Sequence, residues 1–294
     1  MKKYILLAAA ALSLAACDSE DNYIDDNSIQ QPIEAHISAT IGEEVSYRAS
    51  ETKWAAGDSI GVTMGNLYTN VKYITDNTDG KFTGSPMYFQ NKQDRLTISA
   101  YYPFSGTEGS AAAIVEASTR VDRQTLAEQP EFDFLYARLD DVNGGAPNIN
   151  LAFKHQMCKL TLIFRNGNGG TDVSKINSCR IDGLVLDGTF NPVTGECAAK
   201  TVSASPIEIT PTVADNVELP YLILFPQSVG KVTMRITDSE QQEYSCELKF
   251  ADNRLVSGNH YIYTIVVKKT ALSVEQCSIA GWTETRLTSD GQSE

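Results

Sequence analysis

Six cysteines, three histidines and 37 carboxylates are the residues of this sequence that could do chemistry, and their spacing decides which kinds. No two cysteines form a C-x-x-C pair, and so few histidines give no zinc-ligand pattern. The sequence holds no G-x-S-x-G elbow, no H-E-x-x-H, no phosphate loop and no dinucleotide fingerprint. His155 sits in the run AFKHQMCKLTLIF, where Ala152, Cys158, Leu160, Leu162 and Phe164 share one face and Phe153, His155 and Met157 the other. With no nucleophile standing out beside it, His155 reads as a structural histidine at a strand or domain interface, not as a general base. His36 and His260 fall in predicted strands and read as structural or exposed. Asp25 with Asp26, and Asp140 with Asp141, are adjacent carboxylates, which point to opposite faces of a strand or into solvent and do not form a glycosidase pair. The DNTDG segment from Asp76 to Gly80 has hairpin-turn chemistry and too few oxygen ligands for calcium. No catalytic, cofactor-binding or metal-binding residue is expected.

Cys17 is the cysteine with a chemistry written around it. Lys2 and Lys3 precede an apolar run from Tyr4 to Leu14 that is too short for a retained membrane span, which is the pattern of a secretory signal peptide. The run ends Leu14-Ala15-Ala16-Cys17, which resembles the lipobox of bacterial lipoproteins. That resemblance implies cleavage between Ala16 and Cys17, a lipid on the Cys17 sulfur, and attachment to the outer membrane through acyl chains. Residues 18–32 carry five carboxylates and no Lys or Arg, so residues 17–32 read as an acidic tether. Acidic residues at this place also resemble the surface-export signal of Bacteroidetes lipoproteins; a solvated linker without an address fits equally. Cys158, Cys179, Cys197, Cys246 and Cys277 remain, an odd number, and are expected as free thiols acting as small hydrophobes on strand faces.

The elements that must position these residues are strands. The 24 Lys and Arg against 37 Asp and Glu give a formal net charge of −13, which weighs against a nucleic-acid partner. From Ile33 onward apolar residues alternate with period two in short runs between Gly, Asn, Asp and Pro clusters, so the chain is expected to be all-β. Ile33, Ala35, Ile37, Ala39 and Ile41 form one face of a first strand. Further expected runs are Ser59 to Met64, Val71 to Thr75, Arg95 to Tyr102, Ile149 to Leu151 continuing into Lys154 to Arg165, Val217 to Phe225, Lys231 to Thr237, Tyr244 to Phe250 and His260 to Lys268. The NGNGG segment from Asn166 to Gly170 suggests a boundary. The expected organisation is a signal peptide at 1–16, the tether at 17–32, and two β-sandwich domains of about seven strands at 33–167 and 168–294.

Several short motifs follow one another along the chain: Trp54-x-x-Gly57-Asp58-x-Ile60-Gly61-Val62, Tyr101-Tyr102-Pro103-Phe104, Phe153-x-His155, Pro226-Gln227, Gly258-x-x-Tyr261-x-Tyr263 and Ile279-x-x-Trp282. Together, behind a lipobox, they resemble the fimbrillin-like family of Bacteroidetes. The resemblance implies two transthyretin-like β-sandwiches, a non-enzymatic type V pilus subunit or accessory, and a surface location on the outer membrane or in the fimbrium. It also implies that a protease cuts behind an Arg after the first strand, and that the vacated groove accepts a strand from another pilus subunit. Arg48, in the polar stretch Ser46 to Lys53, is the candidate, with Ala49 as the new first residue; it could equally be an uncut loop residue. The donor strand is less evident. The tail after Trp282 offers only Leu287, while Ala271 to Ile279 alternates better but could belong to the domain itself, which leaves stalk, tip, anchor and free surface lipoprotein open. The alternative is a glycan-binding surface lipoprotein that stacks sugars of a host or bacterial surface on its thirteen tyrosines, Trp54 and Trp282, without polymerising.

Overall fold

Alternation along each segment dictates its strand. Asn148–His155 shows the pattern at its clearest: Ile149, Leu151, Phe153 and His155 are buried, while Asn148, Asn150, Ala152 and Lys154 face solvent. The computed structural model describes residues 31–42, 53–167, 172–210, 221–268 and 271–282. Within them the chain is all-β: strands, turns and four single 3-10 turns, with no α-helix.

Seven strands form the first sheet, in the order His36–Ile41, Asn148–His155, Leu135–Asn143, Arg95–Tyr102, Ser59–Met64, Tyr68–Ile74 and Thr83–Gly84. The outer pair is parallel, with Ile37 beside Ile149 and Ala39 beside Leu151. The remaining pairs are antiparallel. The sheet curls, so the far edge of the first strand also finds partners. Ala39 N donates to Gly80 O at 2.7 Å and Ala35 N to Met87 O at 2.8 Å, while Ile33–Glu34 pairs with Tyr88–Phe89. Ala35, Ile37 and Ala39 thereby enter a core built around Trp54, Ile60, Val62, Phe89, Ile98 and Phe153.

Two four-stranded sheets follow. One has the order Leu222–Leu224, Cys158–Asn166, Asn259–Lys268, Ala271–Gly281; the other Ser205–Ile209, Ile176–Leu184, Val232–Asp238, Glu243–Leu248. Their facing side chains, among them Leu160, Leu162, Phe164, Ile181, Met234 and Ile236, share one core, as sandwich packing requires. A three-stranded sheet joins Val115–Ser118 to Asp187–Phe190 and Cys197–Ala199. A third apolar cluster, including Tyr101, Phe132, Phe134, Phe190, Phe225 and Trp282, lies with it.

The run expected as one strand from Ile149 to Arg165 is two strands in different sheets. The chain leaves the first sheet after His155 and enters the next at Cys158, and two bonds hold the crossover: Ser257 Oγ to Gln156 O at 2.9 Å and Gly258 N to Met157 O at 2.8 Å. All residues from Cys158 to Phe164 are buried. A strand covered on both faces loses its alternation, so apolarity alone could not mark the break. The expected Val217 to Phe225 run is described only from Tyr221 onward, as Leu222–Leu224.

Candidate functional site

The Trp54 motif is a turn with a fastening at each end. Gly57 has φ +95°, the left-handed region that suits glycine. Asp58 Oδ2 accepts the Ala55 N–H at 2.7 Å and closes the turn. Trp54 is buried edge-on against Phe82, Tyr102 and Phe153. Its Nε1 donates to Ala39 O at 2.9 Å, so the indole holds the first strand by a backbone carbonyl.

Tyr102 ends its strand with the hydroxyl donating to Asp58 Oδ1 at 3.0 Å. Burial first, and the neighbouring Asp58 charge second, push its phenol far above the usual range, so it stays a donor. His155 Nδ1 lies 2.8 Å from Asp133 Oδ1, and the imidazole stacks on Trp282 with centroids 4.1 Å apart. Trp282 is set there by the Gly258 corner. Gly258 has φ +76°, its carbonyl accepts the Trp282 N–H at 2.8 Å, and Tyr261 Oη accepts the Val256 N–H at 2.8 Å beside it.

Five motif residues distant in sequence, Trp54, Asp58, Tyr102, His155 and Trp282, therefore line one cavity of about 330 Å³ together with Gln129 and Asp133. No hydroxyl or thiol hydrogen-bonds the His155 imidazole among the described residues. The arrangement can bind and orient.

Three glutamines had no signal in the sequence beyond the Pro226-Gln227 dipeptide. Gln124 Nε2 donates to Ile223 O at 2.7 Å and its Oε1 accepts from Ile223 N at 3.0 Å, a side-chain imitation of strand pairing. Gln129 donates to Gln124 Oε1 at 3.2 Å and to Tyr221 O at 3.0 Å. Gln227 does the same for Val185, accepting from its N and donating to its O, both at 2.9 Å.

Ala16, Cys17, Arg48 and Ala49, with the signal and nearly all of the tether, lie outside the described residues. The five later cysteines are free thiols: Cys158 and Cys179 buried, Cys197 and Cys246 half-buried, Cys277 exposed. Asp140 takes surface bonds from Thr97 and Arg138, apart from the cavity. The Ala271–Gly281 segment pairs along its length with Asn259–Lys268 as the outer strand of its sheet. Among the described side chains there, Leu272 and the following Trp282 are buried, while Val274 and Ile279 are 36% and 46% exposed.

A fold of packed sheets whose motif residues serve as turns, corners and cavity walls defines a structural or binding protein. The model of the family described as fimbrillin-like matches residues 48–282, and the chain belongs to that family. It is 26% identical over 304 aligned residues to a protein named as a candidate fimbrium subunit, Fim1C, of Bacteroides uniformis, covering 96% of each chain. The crystal structure of a candidate cell adhesion protein from Bacteroides ovatus is 26% identical with a TM-score of 0.68, covering 87% of this chain and 99% of that one. Another candidate cell adhesion protein, from Bacteroides uniformis, shares the fold at 22% identity and a TM-score of 0.67, covering 86% of this chain and 99% of that one.

Proposed function

We propose that this chain is a structural and adhesive surface protein without catalysis, a fimbrial subunit or accessory lipidated at Cys17 and exported to the outer surface. It assembles by β-strand exchange after cleavage between Arg48 and Ala49. The observation that carries the assembly step is the seating of the first strand. The segment 35–41 pairs from His36 onward with Asn148–Phe153 along one edge and bonds through Ala39 to Gly80 and through Ala35 to Met87 across the other. It places Ala35, Ile37 and Ala39 in alternate core positions. Its departure would uncover a row of unpaired backbone groups above alternating pockets, the acceptor that strand addition uses. Ala271–Gly281 supports a matching donor role as the outer strand of its sheet, with Leu272 buried and Val274 and Ile279 exposed along it. We take the two groups of sheets as the two sandwich domains of such a subunit.

N-terminal sequencing of surface-extracted protein should find Ala49 as the first residue, and assembled fibres should run as ladders that resist mild denaturation. An intact lipidated chain inside assembled fibres would sink the processing step. The glycan-binding alternative draws less support: every described Phe, Tyr and Trp is buried or half-buried, which leaves no exposed aromatic platform among the described residues.

A further inference from the structure

A strand that takes the place of residues 33–41 has to fit what now surrounds them. Their inward residues are Ile33, Ala35, Ile37, Ala39 and Ile41, alternately large and small. Ala35, Ile37 and Ala39 lie in the core at 4%, 6% and 1% exposure, while the two outer isoleucines are half-buried. The three central levels therefore decide the fit, and their order is small, large aliphatic, small.

The small levels are held from outside the strand. Along one edge the strand pairs with Asn148–Phe153. Along the other, Ala39 is held at both of its backbone groups: its N–H donates to Gly80 O at 2.7 Å and its carbonyl accepts Trp54 Nε1 at 2.9 Å. Gly80 lies so close that a methyl group added to it would strike the Ala39 oxygen. Trp54 is fixed in turn by Phe82, Tyr102 and Phe153, each of which meets its ring edge-on. Ala35 is held by Met87, whose carbonyl accepts its N–H at 2.8 Å and whose side chain, like that of Phe89, is fully buried in the same core. A backbone bonded along both edges cannot step aside for a larger side chain, and a close-packed core does not take extra methylenes without strain. A residue smaller than Ile37 at the middle level would leave a cavity.

We propose that this groove selects a strand whose three central inward residues are small, large aliphatic and small, with Trp54, Gly80 and Met87 imposing the small levels. Given strand exchange at this groove, on which the selection rests, the donor can be named. Within Ala271–Gly281 one run of alternate residues has that order: Cys277, Ile279 and Gly281. Every other such triple puts Leu, Val, Glu or Gln at a small level or lacks a large aliphatic residue in the middle. Cys277 is exposed and Ile279 is 46% exposed where they now stand, and the bulge of that strand, at Glu275, lies outside the run. In the direction of the departed strand, Cys277 of a second copy takes the level of Ala35, Ile279 that of Ile37 and Gly281 that of Ala39.

The test uses the full chain with a site-specific protease sequence placed between Gly42 and Lys53, nicked so that the first piece can exchange. A fluorescent copy of residues 33–41 should enter the nicked chain, seen as a saturable rise in anisotropy, and an unlabelled copy of residues 275–283 should compete with it. Ala39→Leu or Ile37→Ala in the first peptide, and Gly281→Leu in the second, should each weaken binding about tenfold or more. The substitutions sit in the peptides, so the acceptor is the same folded chain throughout. Equal binding of the Ala39→Leu peptide would overturn the selection, and failure of the 275–283 peptide to compete would overturn the choice of donor. If the unmodified 33–41 copy does not enter a nicked, folded chain, strand exchange at this groove falls, and the selection with it.

Discussion

The imidazole of His155 lies flat on the indole of Trp282, with ring planes within 3° and centroids 4.1 Å apart. One residue ends the last strand of the first sheet that the chain lays down, and the other follows the last described strand. The contact closes one side of the cavity and fixes the end of the Ala271–Gly281 strand.

Trp282→Ala should therefore destabilise the fold strongly. The indole is 7% exposed, and deleting a buried Trp side chain costs about 3–5 kcal/mol. Trp282→Phe should lose less, because a ring remains to stack on His155. Urea unfolding followed by circular dichroism measures both. If the two variants match the unmutated midpoint, the stack does not anchor this end of the chain.

Gly80→Ala tests the seating of the first strand. Gly80 has φ +74°, and an added Cβ would run into the Ala39 carbonyl oxygen. The strained backbone alone costs about 1–3 kcal/mol. The variant should release the segment before Trp54 faster in limited proteolysis, while the later sheets keep their resistance. Release at an unchanged rate would mean that the Gly80 contact does not hold the strand.

Gln124→Ala removes a side chain that satisfies both the N–H and the C=O of buried Ile223. Leaving those groups unpaired should lower stability by about 2–4 kcal/mol. Hydrogen exchange should show the loss first at Ile223 N–H. Retained protection there would contradict the pairing.

The thiols should sort sharply by reactivity. Burial pushes Cys179 and Cys197 up to about 12 and Cys246 up to about 11, from an ordinary value of 9.0; Cys158 is raised further, also by burial. At pH 8 iodoacetamide should label Cys277 quickly and the other four only on unfolding. The folded state holds these protons more tightly than the unfolded one, so stability is full below pH 9 and falls as pH rises from about 9 towards 12. Urea midpoints that do not fall between pH 9 and 11 would count against buried neutral thiols.

Much of this was legible in the sequence. Ser59–Met64 and Arg95–Tyr102 fall where their alternation puts them, because a strand with one face in the core writes period two into its residues. The turn at Asp76–Gly80 was visible in its residue types, and Gly80 takes the positive φ that few residues other than glycine accept. Leu135–Asn143 was missed because the bulge at Asp140 and Asp141 breaks the alternation of Leu135, Ala137 and Leu139 before Val142, the next residue packed on the core.

By itself, then, the sequence determined an all-β chain, its main turns and the identity of the residues that would matter, since these follow from local geometry and from which side chains leave water. Only the tertiary structure decided that Trp54, Asp58, Tyr102, His155 and Trp282 share one cavity, and that Gln124 and Gln129 close the surroundings. Those meetings depend on pairings between remote segments, such as His36–Ile41 beside Asn148–Phe153 and Cys158–Asn166 beside Asn259–Val267. No local pattern encodes which distant strand will lie alongside; that choice belongs to the packing of the whole core.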